Sequence, residues 1–321
     1  MSATIRIKLS PRKWGSVARK SVDMQQRHAA STRPELPCGC VSSTHCVPPG
    51  STIVFVGDSL TRYQYLDLVF TLRYGHRAHE NRTKRNPLNE RTWWSWTRFH
   101  RGTHAELRPH ETVCDCHRPA LFNMETAKNT TENRMFQWPR CNVRVAYIQA
   151  FGSALCLRGH WPLQGKLWNW SRGPLDPQSA EWNRLYSQLS CLDWPTALRN
   201  IVSRMEPTAI ILNAGGHWSI SGLNFTEIRS AAAEVSRCVV WKTTTTSRLR
   251  VAVATDDAQA RQAFARDLIF EAGLLTARMP NLHYWDAQWG GVHFTPRTGA
   301  YHALNVGLIE TLREARCRPS T

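Results

Sequence analysis

The feature that most constrains the fold is a buried strand pattern that ends abruptly in a glycine, an acid and a hydroxyl. The stretch STIVFVG (51–57) is a continuous apolar run with β-branched residues, and Asp58 and Ser59 follow it directly. From Leu60 onward, the apolar positions fall mostly on one helical face. A continuous apolar strand is typical of a parallel sheet that is covered on both sides. The stretch therefore predicts a strand-to-helix junction in an α/β sheet.

The same alternation continues along the chain. Further strands are predicted at 143–152, 208–216, 238–246 and 282–287, and 248–255 extends the one before it or forms another. Helices are predicted at 225–237, with Thr226 as a possible cap, at 256–275 and at 298–315. This order predicts an α/β fold, a three-layer α/β/α sandwich around a mostly parallel sheet. Ligands of such sheets lie at the carboxyl ends of the strands.

Composition separates a folded part from a basic arm. Hydrophobic residues make up 42% of the 321 residues, which is enough for a real core. The net charge is +17, which favours polyanionic partners, but the chain carries no nucleic-acid motif and no nucleic-acid partner is expected. We predict a basic, disordered arm at 1–37 and a single domain at 38–321, with an Arg- and Trp-rich insertion near 76–140.

Ten cysteines and four glycosylation sequons point to an oxidising compartment. The CxC spacings fit zinc poorly and fit disulfides better, so no metal is expected. The sequons begin at Asn81, Asn129, Asn169 and Asn224. These signals favour the secretory pathway, either the Golgi lumen or the cell exterior. Two observations stand beside them: the N-terminus shows no apolar signal segment, and no stretch is long enough for a transmembrane helix. Either the chain is not secreted or its true start lies upstream of Met1.

A serine at the end of a buried strand is a candidate nucleophile. Gly57 permits a tight turn, and the first N–H groups of the following helix would stabilise an oxyanion beside Ser59. A serine hydroxyl needs a base, and His293 lies in a loop between the last predicted strand and the last predicted helix. Alternatively, Asp58 or Ser59 merely caps the helix. His302 is a rival base, but it lies inside a helix pattern and is interpreted as a surface or packing residue.

Two residues at other strand ends are candidate oxyanion donors. Asn213 lies after the apolar part of the stretch at 208–216 and before two glycines, so its amide could face a developing negative charge. Gly152 ends the strand at 143–152 and could offer its backbone N–H. The alternative for Asn213 is an ordinary turn residue.

The insertion mixes arginines, histidines and tryptophans. Within 76–104, an exposed face of Trp93, Trp94 or Trp96 could stack on a sugar ring while arginines hold acidic groups. The alternative is that these tryptophans pack the insertion onto the core. The same two interpretations apply to Trp161, Trp168 and Trp170.

Three blocks together resemble a known family. GDSLTRYQ (57–64), LNAGGHW (212–218) and the late VHF and YHALN (292–305) are similar to blocks of the SGNH-hydrolase superfamily, with its flavodoxin-like fold. More narrowly they resemble its PC-esterase branch, which includes plant trichome-birefringence-like polysaccharide O-acetyltransferases and the luminal domains of sialate O-acetyltransferases. The resemblance spans about residues 50–316.

The resemblance implies an activity and a set of residues. It implies transfer of an acetyl group to or from a sugar hydroxyl through an acyl-Ser59 intermediate, with an acyl donor and a glycan acceptor as partners and no cofactor. Its matching blocks imply substrate-binding roles for Arg62, Gln64, His217 and Trp218.

One position departs from the family pattern. The family has an aspartate three residues before the histidine, whereas this chain has Gly290 there, and the nearest acid is Asp286. Either Asp286 or a carbonyl orients His293, or the protein is a catalytically inactive carbohydrate-binding relative. A nucleic-acid binder, suggested only by the charge, is the weakest alternative.

Overall fold

A computed structural model describes residues 37–77, 85–117, 131–150, 152, 154–158, 189–215, 222–245, 251–286 and 291–319. The chain divides into two compact units, Met1–Glu35 and Leu36–Thr321. All the described residues lie in the second unit. The basic arm predicted at 1–37 lies outside the described residues except for its last position, residue 37.

The centre of the fold is a seven-stranded, mostly parallel sheet. Its strands run in the order β2-β3-β4-β1-β7-β8-β9, and a separate hairpin pairs β5 with β6. In this order, β4, β1, β7, β8 and β9 pair in parallel with one another. By contrast, β3 pairs antiparallel with both β2 and β4. The bounds are β1 Thr52–Gly57, β2 Glu111–His117, β3 Thr131–Trp138, β4 Val143–Gln149, β5 Ala154–Arg158, β6 Leu189–Asp193, β7 Ala209–Leu212, β8 Cys238–Lys242 and β9 Leu268–Phe270.

Helices cover both faces of the sheet. They are α1 Ser59–Tyr74, α2 Trp96–Leu107, α3 Trp194–Asn200, α4 Phe225–Val235, α5 Val251–Ala263, α6 Ala272–Ala277 and α7 Ala300–Glu314. Successive side chains of a strand point to opposite faces. Phe55 of β1 accordingly packs with α1, α2 and α7, and its neighbours Val54 and Val56 pack with α3 and α4. The predicted three-layer α/β/α sandwich is confirmed.

Most of the predicted elements are present. The strands at 51–57, 143–152, 208–216 and 238–246 and the helices at 225–237 and 298–315 are confirmed, with shorter bounds. Four predictions were wrong. The described part of 248–255 is helical, because α5 begins at Val251, and the single helix predicted at 256–275 is instead the rest of α5, β9 and most of α6. Residues 282–286, the described part of the strand predicted at 282–287, contribute only an isolated bridge, Tyr284 to Phe294. The cap of α4 is Asn224, not Thr226.

Disulfides join distant parts of the fold. Cys38 is bonded to Cys141 and Cys238 to Cys317, while two others close short loops, Cys40–Cys46 and Cys114–Cys116. Cys191 is also in a disulfide and lies opposite Cys156 in the register of β5 and β6. Within the part of the chain that the structure describes, no helix is both long and apolar enough to cross a bilayer. The disulfides are compatible with a secreted or luminal domain.

The insertion near 76–140 joins the fold through a buried ionic network. Glu132 of β3 accepts from Arg62 Nη1 at 3.1 Å and from Arg134 Nε at 2.9 Å. Arg62 also donates to Glu90 at 2.6 Å, and Arg134 donates to Glu111 at 3.2 Å. The side chains of Arg62, Arg134 and Glu111 are fully buried. Because buried charges are costly unless paired, this network fixes β2 and β3 against α1 and α2.

Candidate active site

The site begins at the junction between β1 and α1. Asp58 is the N-cap of α1, and its Oδ1 accepts from the N–H groups of Leu60 at 3.0 Å and Thr61 at 3.4 Å. Gly57 is required by crowding, since a Cβ there would lie 2.4 Å from Thr61 Oγ1. Ser59 is the first residue of the helix and is 6% exposed. The suggestion that a residue of this motif caps the helix is therefore correct for Asp58, and Ser59 keeps its hydroxyl for another partner.

That partner is His293. Ser59 Oγ lies 2.7 Å from His293 Nε2, and the two residues are 234 positions apart in the chain. The other ring nitrogen, Nδ1, lies 2.8 Å from Asp286 Oδ2. The three side chains form a continuous hydrogen-bonded series of hydroxyl, imidazole and carboxylate, the arrangement that activates a serine for nucleophilic attack.

Asp286 is the group that contacts His293 Nδ1, a role that the sequence left open between Asp286 and a carbonyl. Its second oxygen, Oδ1, accepts from the backbone N–H groups of Val292 at 3.0 Å and His293 at 2.9 Å. Burial would raise the pKa of Asp286, but the hydrogen bonds and charge of His293 and the N–H of Val292 outweigh it, and this pKa lies below its ordinary value. A carboxylate held ionised at this place favours an imidazole whose Nδ1 carries a proton and whose Nε2 faces Ser59.

Aromatic rings hold the imidazole in place. The Trp285 ring stacks on the His293 ring, with centroids 5.0 Å apart and planes 12° apart. The Tyr63 ring meets it edge-on at 5.4 Å. Because the ring is held on two sides, His293 has little freedom to rotate away from Ser59.

Asn213 lies close to the junction but does not face the serine. It is fully buried, and its Nδ2 donates to the Lys242 carbonyl at 2.9 Å and to Thr244 Oγ1 at 3.3 Å. Its Oδ1 accepts from Thr61 Oγ1 at 3.3 Å. The predicted oxyanion-donor role of Asn213 therefore does not fit, because both ends of the amide join the strand ends of β7 and β8 to α1.

Lys242 is a buried cation that the sequence analysis missed. It is the last residue of β8, and its Nζ donates to Thr61 Oγ1 at 3.2 Å. Burial lowers the pKa of Lys242 to about 8, against the opposing attraction of Asp58 and Asp257. The apolar pattern around this lysine gave no signal of its role. Its hydrogen bond continues the polar network that supports the helix start under Ser59.

The remaining oxyanion candidates are backbone groups. Asp58 takes the N–H groups of Leu60 and Thr61, and its carbonyl accepts from the Arg62 N–H at 2.9 Å. The Asp58 cap does not bond the N–H of Ser59, which therefore remains as a donor in the first turn of the helix. Gly152 has φ +144°, and its carbonyl accepts from Trp194 Nε1 at 2.9 Å, which fixes the adjoining peptide. Ser59 and Gly152 are thus the candidates for N–H donors.

Two predicted substrate-binding residues are interior residues. Arg62 is fully buried in the ionic network, and its guanidinium lies 4.5 Å from the Tyr63 ring centroid. Gln64 is also fully buried, and its backbone carbonyl accepts from Asn305 Nδ2 at 3.1 Å. Because neither side chain is exposed, the predicted substrate-binding roles of Arg62 and Gln64 do not fit this geometry. His217 and Trp218 lie outside the described residues.

The rival base and the tryptophans of the insertion also have defined places. His302 is 8% exposed, with Nδ1 3.9 Å from Asp67 Oδ2 in the packing between α1 and α7. Trp93 is 3% exposed and donates to the Asn86 carbonyl, whereas Trp94 is 79% exposed. Trp93 therefore packs the insertion onto the core, whereas Trp94 is exposed and its stacking on a sugar stays a prediction. Trp161, Trp168 and Trp170 lie outside the described residues.

A contact between the first two sequence blocks was also missed. Gly215, from the LNAGGHW block, has φ +77°, and a Cβ there would lie 2.4 Å from Asp58 Oδ2. A side chain at 215 would therefore collide with the cap of α1. The only signal in the sequence was the pair of glycines after Asn213, which does not name the partner.

Two groups of side chains approach the spacing of metal ligands. One is His100, Cys116 and Glu132, and the other is His104, Glu111 and Cys114. The two sulfurs are joined to each other in a disulfide, and Arg134 donates to both glutamates. In this oxidised state neither group offers a thiolate, so neither fits a metal site.

Comparison with known proteins adds no family. No known protein family matches the chain, and no curated protein sequence matches it.

Proposed function

We propose that the chain is a serine-dependent acyltransferase or esterase that acts on the hydroxyl groups of a glycan. The observation that carries this proposal is the hydrogen-bonded series from Ser59 through His293 to Asp286. The resemblance of the GDSLTRYQ block to the PC-esterase branch supports an acetyl group as the acyl group and a sugar as the acceptor.

The proposed chemistry has two halves. Ser59 Oγ attacks the carbonyl carbon of an acyl donor as its proton passes to His293 Nε2, and the donor alcohol leaves with that proton. The backbone N–H groups of Ser59 and Gly152 are the proposed donors to the oxyanion. A sugar hydroxyl then attacks acyl-Ser59, gives its proton to His293, and Ser59 regains a proton from the imidazole. Water in place of the sugar gives hydrolysis.

Asp286 bears on the inactive alternative. That alternative starts from Gly290, which leaves the histidine without the acid of the family pattern. Asp286 supplies a carboxylate to His293 Nδ1, which supports the catalytic interpretation. The disulfides and the four sequons favour the secretory pathway, in the Golgi lumen or outside the cell, as the place of the reaction.

A fluorophosphonate probe tests the proposal. The probe forms a bond from phosphorus to an activated serine oxygen and releases fluoride, so the labelled residue is found by peptide mass spectrometry. We expect the full chain, made in an oxidising host, to be labelled at Ser59, and Ser59→Ala and His293→Ala to show no label. Incubation with an aryl acetate should leave an acetyl group on the same serine. Equal labelling of wild type and Ser59→Ala would refute the proposal.

A further inference from the structure

Trp94 is unusually exposed for its size. Its side chain is 79% accessible, whereas its neighbour Trp93 is 3% accessible. Large aromatic side chains are normally mostly buried. Trp94 also ends the 3₁₀ turn Glu90–Trp93 with φ +67°, a conformation that favours glycine. A tryptophan that is both exposed and held in the left-handed region serves no packing purpose, and such an outlier is a reason to look for a function.

Two arginines flank this ring. The guanidinium carbon of Arg98 lies 5.2 Å from the Trp94 ring centroid, and that of Arg85 lies 6.0 Å from it. Both arginines are exposed. We call Arg85, Trp94 and Arg98 the cation–aromatic patch. Such an arrangement presents an apolar ring face beside guanidinium groups that can each bind an oxyanion in bidentate fashion.

The patch carries charge that nearby acids do not neutralise. No carboxylate among the described residues forms an ion pair with Arg85 or Arg98. Other surface arginines do have such partners: Arg199 pairs with Glu234, Arg229 with Asp267 and Arg261 with Glu271. Within the part of the chain that the structure describes, the patch is therefore a positive surface without carboxylate partners, which favours the binding of an anion.

The 3₁₀ turn that presents Trp94 is attached to the catalytic residues at two points. Glu90 forms the buried ion pair with Arg62, which lies on α1 three positions after Ser59. The Arg91 guanidinium lies 5.0 Å from the centroid of the Trp285 ring, the same ring that stacks on His293. The turn that presents the patch thus contacts both α1, which carries Ser59, and the ring that stacks on His293.

We propose that the cation–aromatic patch binds an anionic saccharide, one that bears carboxylate or sulfate groups, and that this saccharide is the acyl acceptor. The inference rests on the proposed function and narrows its substrate class. The Trp94 ring stacks on a sugar face, and Arg85 and Arg98 bind the acidic groups. A saccharide is favoured over a nucleic acid because nucleic-acid surfaces stack successive bases on several aromatics, whereas Trp94 is a single platform within the described residues.

Binding of two matched probes tests the inference. Hexagalacturonate and its fully methyl-esterified form share a backbone and differ in charge. We expect full-length Ser59→Ala to bind the acidic form at least about 10-fold more tightly than the ester. Addition of Trp94→Ala should weaken binding of the acidic form about 10-fold, and Arg85→Gln or Arg98→Gln should each weaken it roughly 5-fold. Isothermal titration calorimetry measures the dissociation constant for each pair of variant and probe.

Arg237→Gln is the matched control, because Arg237 is an exposed arginine that precedes β8 at the opposite, amino-terminal end of the strands. We expect it to change binding less than about 2-fold. Equal losses for Arg237→Gln and Arg98→Gln, equal binding of the two probes, or tighter binding of a single-stranded oligonucleotide through the same residues would each overturn the inference. Probe labelling of Ser59 without hexagalacturonate binding refutes the acceptor alone, whereas patch-dependent binding without labelling refutes the acyl transfer alone.

Discussion

Two series of serine, histidine and carboxylate occur among the described residues, and one of them has the surroundings of a reaction centre. In the second, Ser42 Oγ lies 2.7 Å from His45 Nδ1, and His45 Nε2 lies 3.2 Å from Glu310. By distances alone this series resembles Ser59, His293 and Asp286. The comparison teaches that a hydrogen-bond pattern becomes a candidate catalytic device only through what holds it.

The surroundings differ in three ways. Ser42 Oγ accepts from the His45 N–H at 3.1 Å, so the contact with the histidine belongs to a local turn. The His45 and Glu310 side chains are 24% and 32% exposed, against 16% and 8% for His293 and Asp286. Ser59 is the first residue of the long helix α1, whereas Ser42 lies in a stretch of bends and turns with no helix after it before β1.

The largest expected effect comes from Asp286→Asn. The asparagine oxygen can still accept from the backbone N–H groups of Val292 and His293, but its NH₂ then faces His293 Nδ1 and imposes the wrong tautomer. In serine proteases the equivalent change lowers kcat about 10⁴-fold, and we expect a comparable loss of aryl-acetate turnover here. The melting temperature should change little. Glu310→Gln is the matched variant at the second series, and its turnover should equal that of wild type. A similar loss in both variants would contradict the distinction.

The next largest effect is on stability. Glu132→Gln leaves Arg62 and Arg134 buried with one carboxylate fewer between them, which we expect to destabilise the fold by about 3–5 kcal/mol. Chemical denaturation measures the change. Glu234→Gln removes the carboxylate of the exposed pair with Arg199 and should leave the denaturation midpoint nearly unchanged. Equal midpoints for the two variants would mean that the network does not support the helix that carries Ser59.

A smaller effect depends on pH. Burial raises the pKa of Asp67 on α1 to about 7, against the opposing hydrogen bond from Asn305 and the charge of Arg77. The folded state thus holds a proton that the unfolded chain releases near pH 4, so stability falls as pH rises from about 4 to 7 and then levels off. Asp67→Asn should remove this loss and gain on the order of 2 kcal/mol relative to wild type at pH 8. Parallel stability profiles between pH 4 and pH 8 would contradict the assignment.

The smallest effect is expected for Ser42→Ala. Since Ser42 only closes a turn, its loss should leave fluorophosphonate labelling and aryl-acetate turnover unchanged. Peptide mapping of the labelled protein checks this result, because any label on the peptide that contains Ser42 would remove the contrast between the two series.

The sequence predicted the sheet centre well and its edges poorly. The apolar runs of β1, β4, β7 and β8 are buried on both faces, so hydrophobicity alone reveals them. By contrast, β2 and β3 carry Glu111, Glu132 and Arg134 inward, and only their mutual pairing makes those positions interior. No local hydrophobic pattern in the sequence predicts such a strand. The three residues of β9 are equally hidden, inside a stretch with helical periodicity.

The site shows the same limit. Ser59 follows from a strand-end position of the parallel sheet, whereas His293 was named from a strand at 282–287 that is only an isolated bridge, and the sequence left Asp286 as one of two possible orienting groups. Asn213 failed as an oxyanion donor because the Lys242 carbonyl, 29 positions away, takes its amide. Arg62 failed as a substrate ligand because its acids come from the insertion. Partners that are distant in the chain decide such roles, and a single sequence does not display them.

The contact between Gly215 and Asp58 has a consequence for how this architecture can vary. The loop after β7 can approach the start of α1 only while position 215 lacks a side chain and position 58 keeps a short one. A larger side chain at either position would require a compensating change at the other, so the two blocks can vary only together. A designer who transplants the nucleophile junction into another sheet would have to transplant that loop with it.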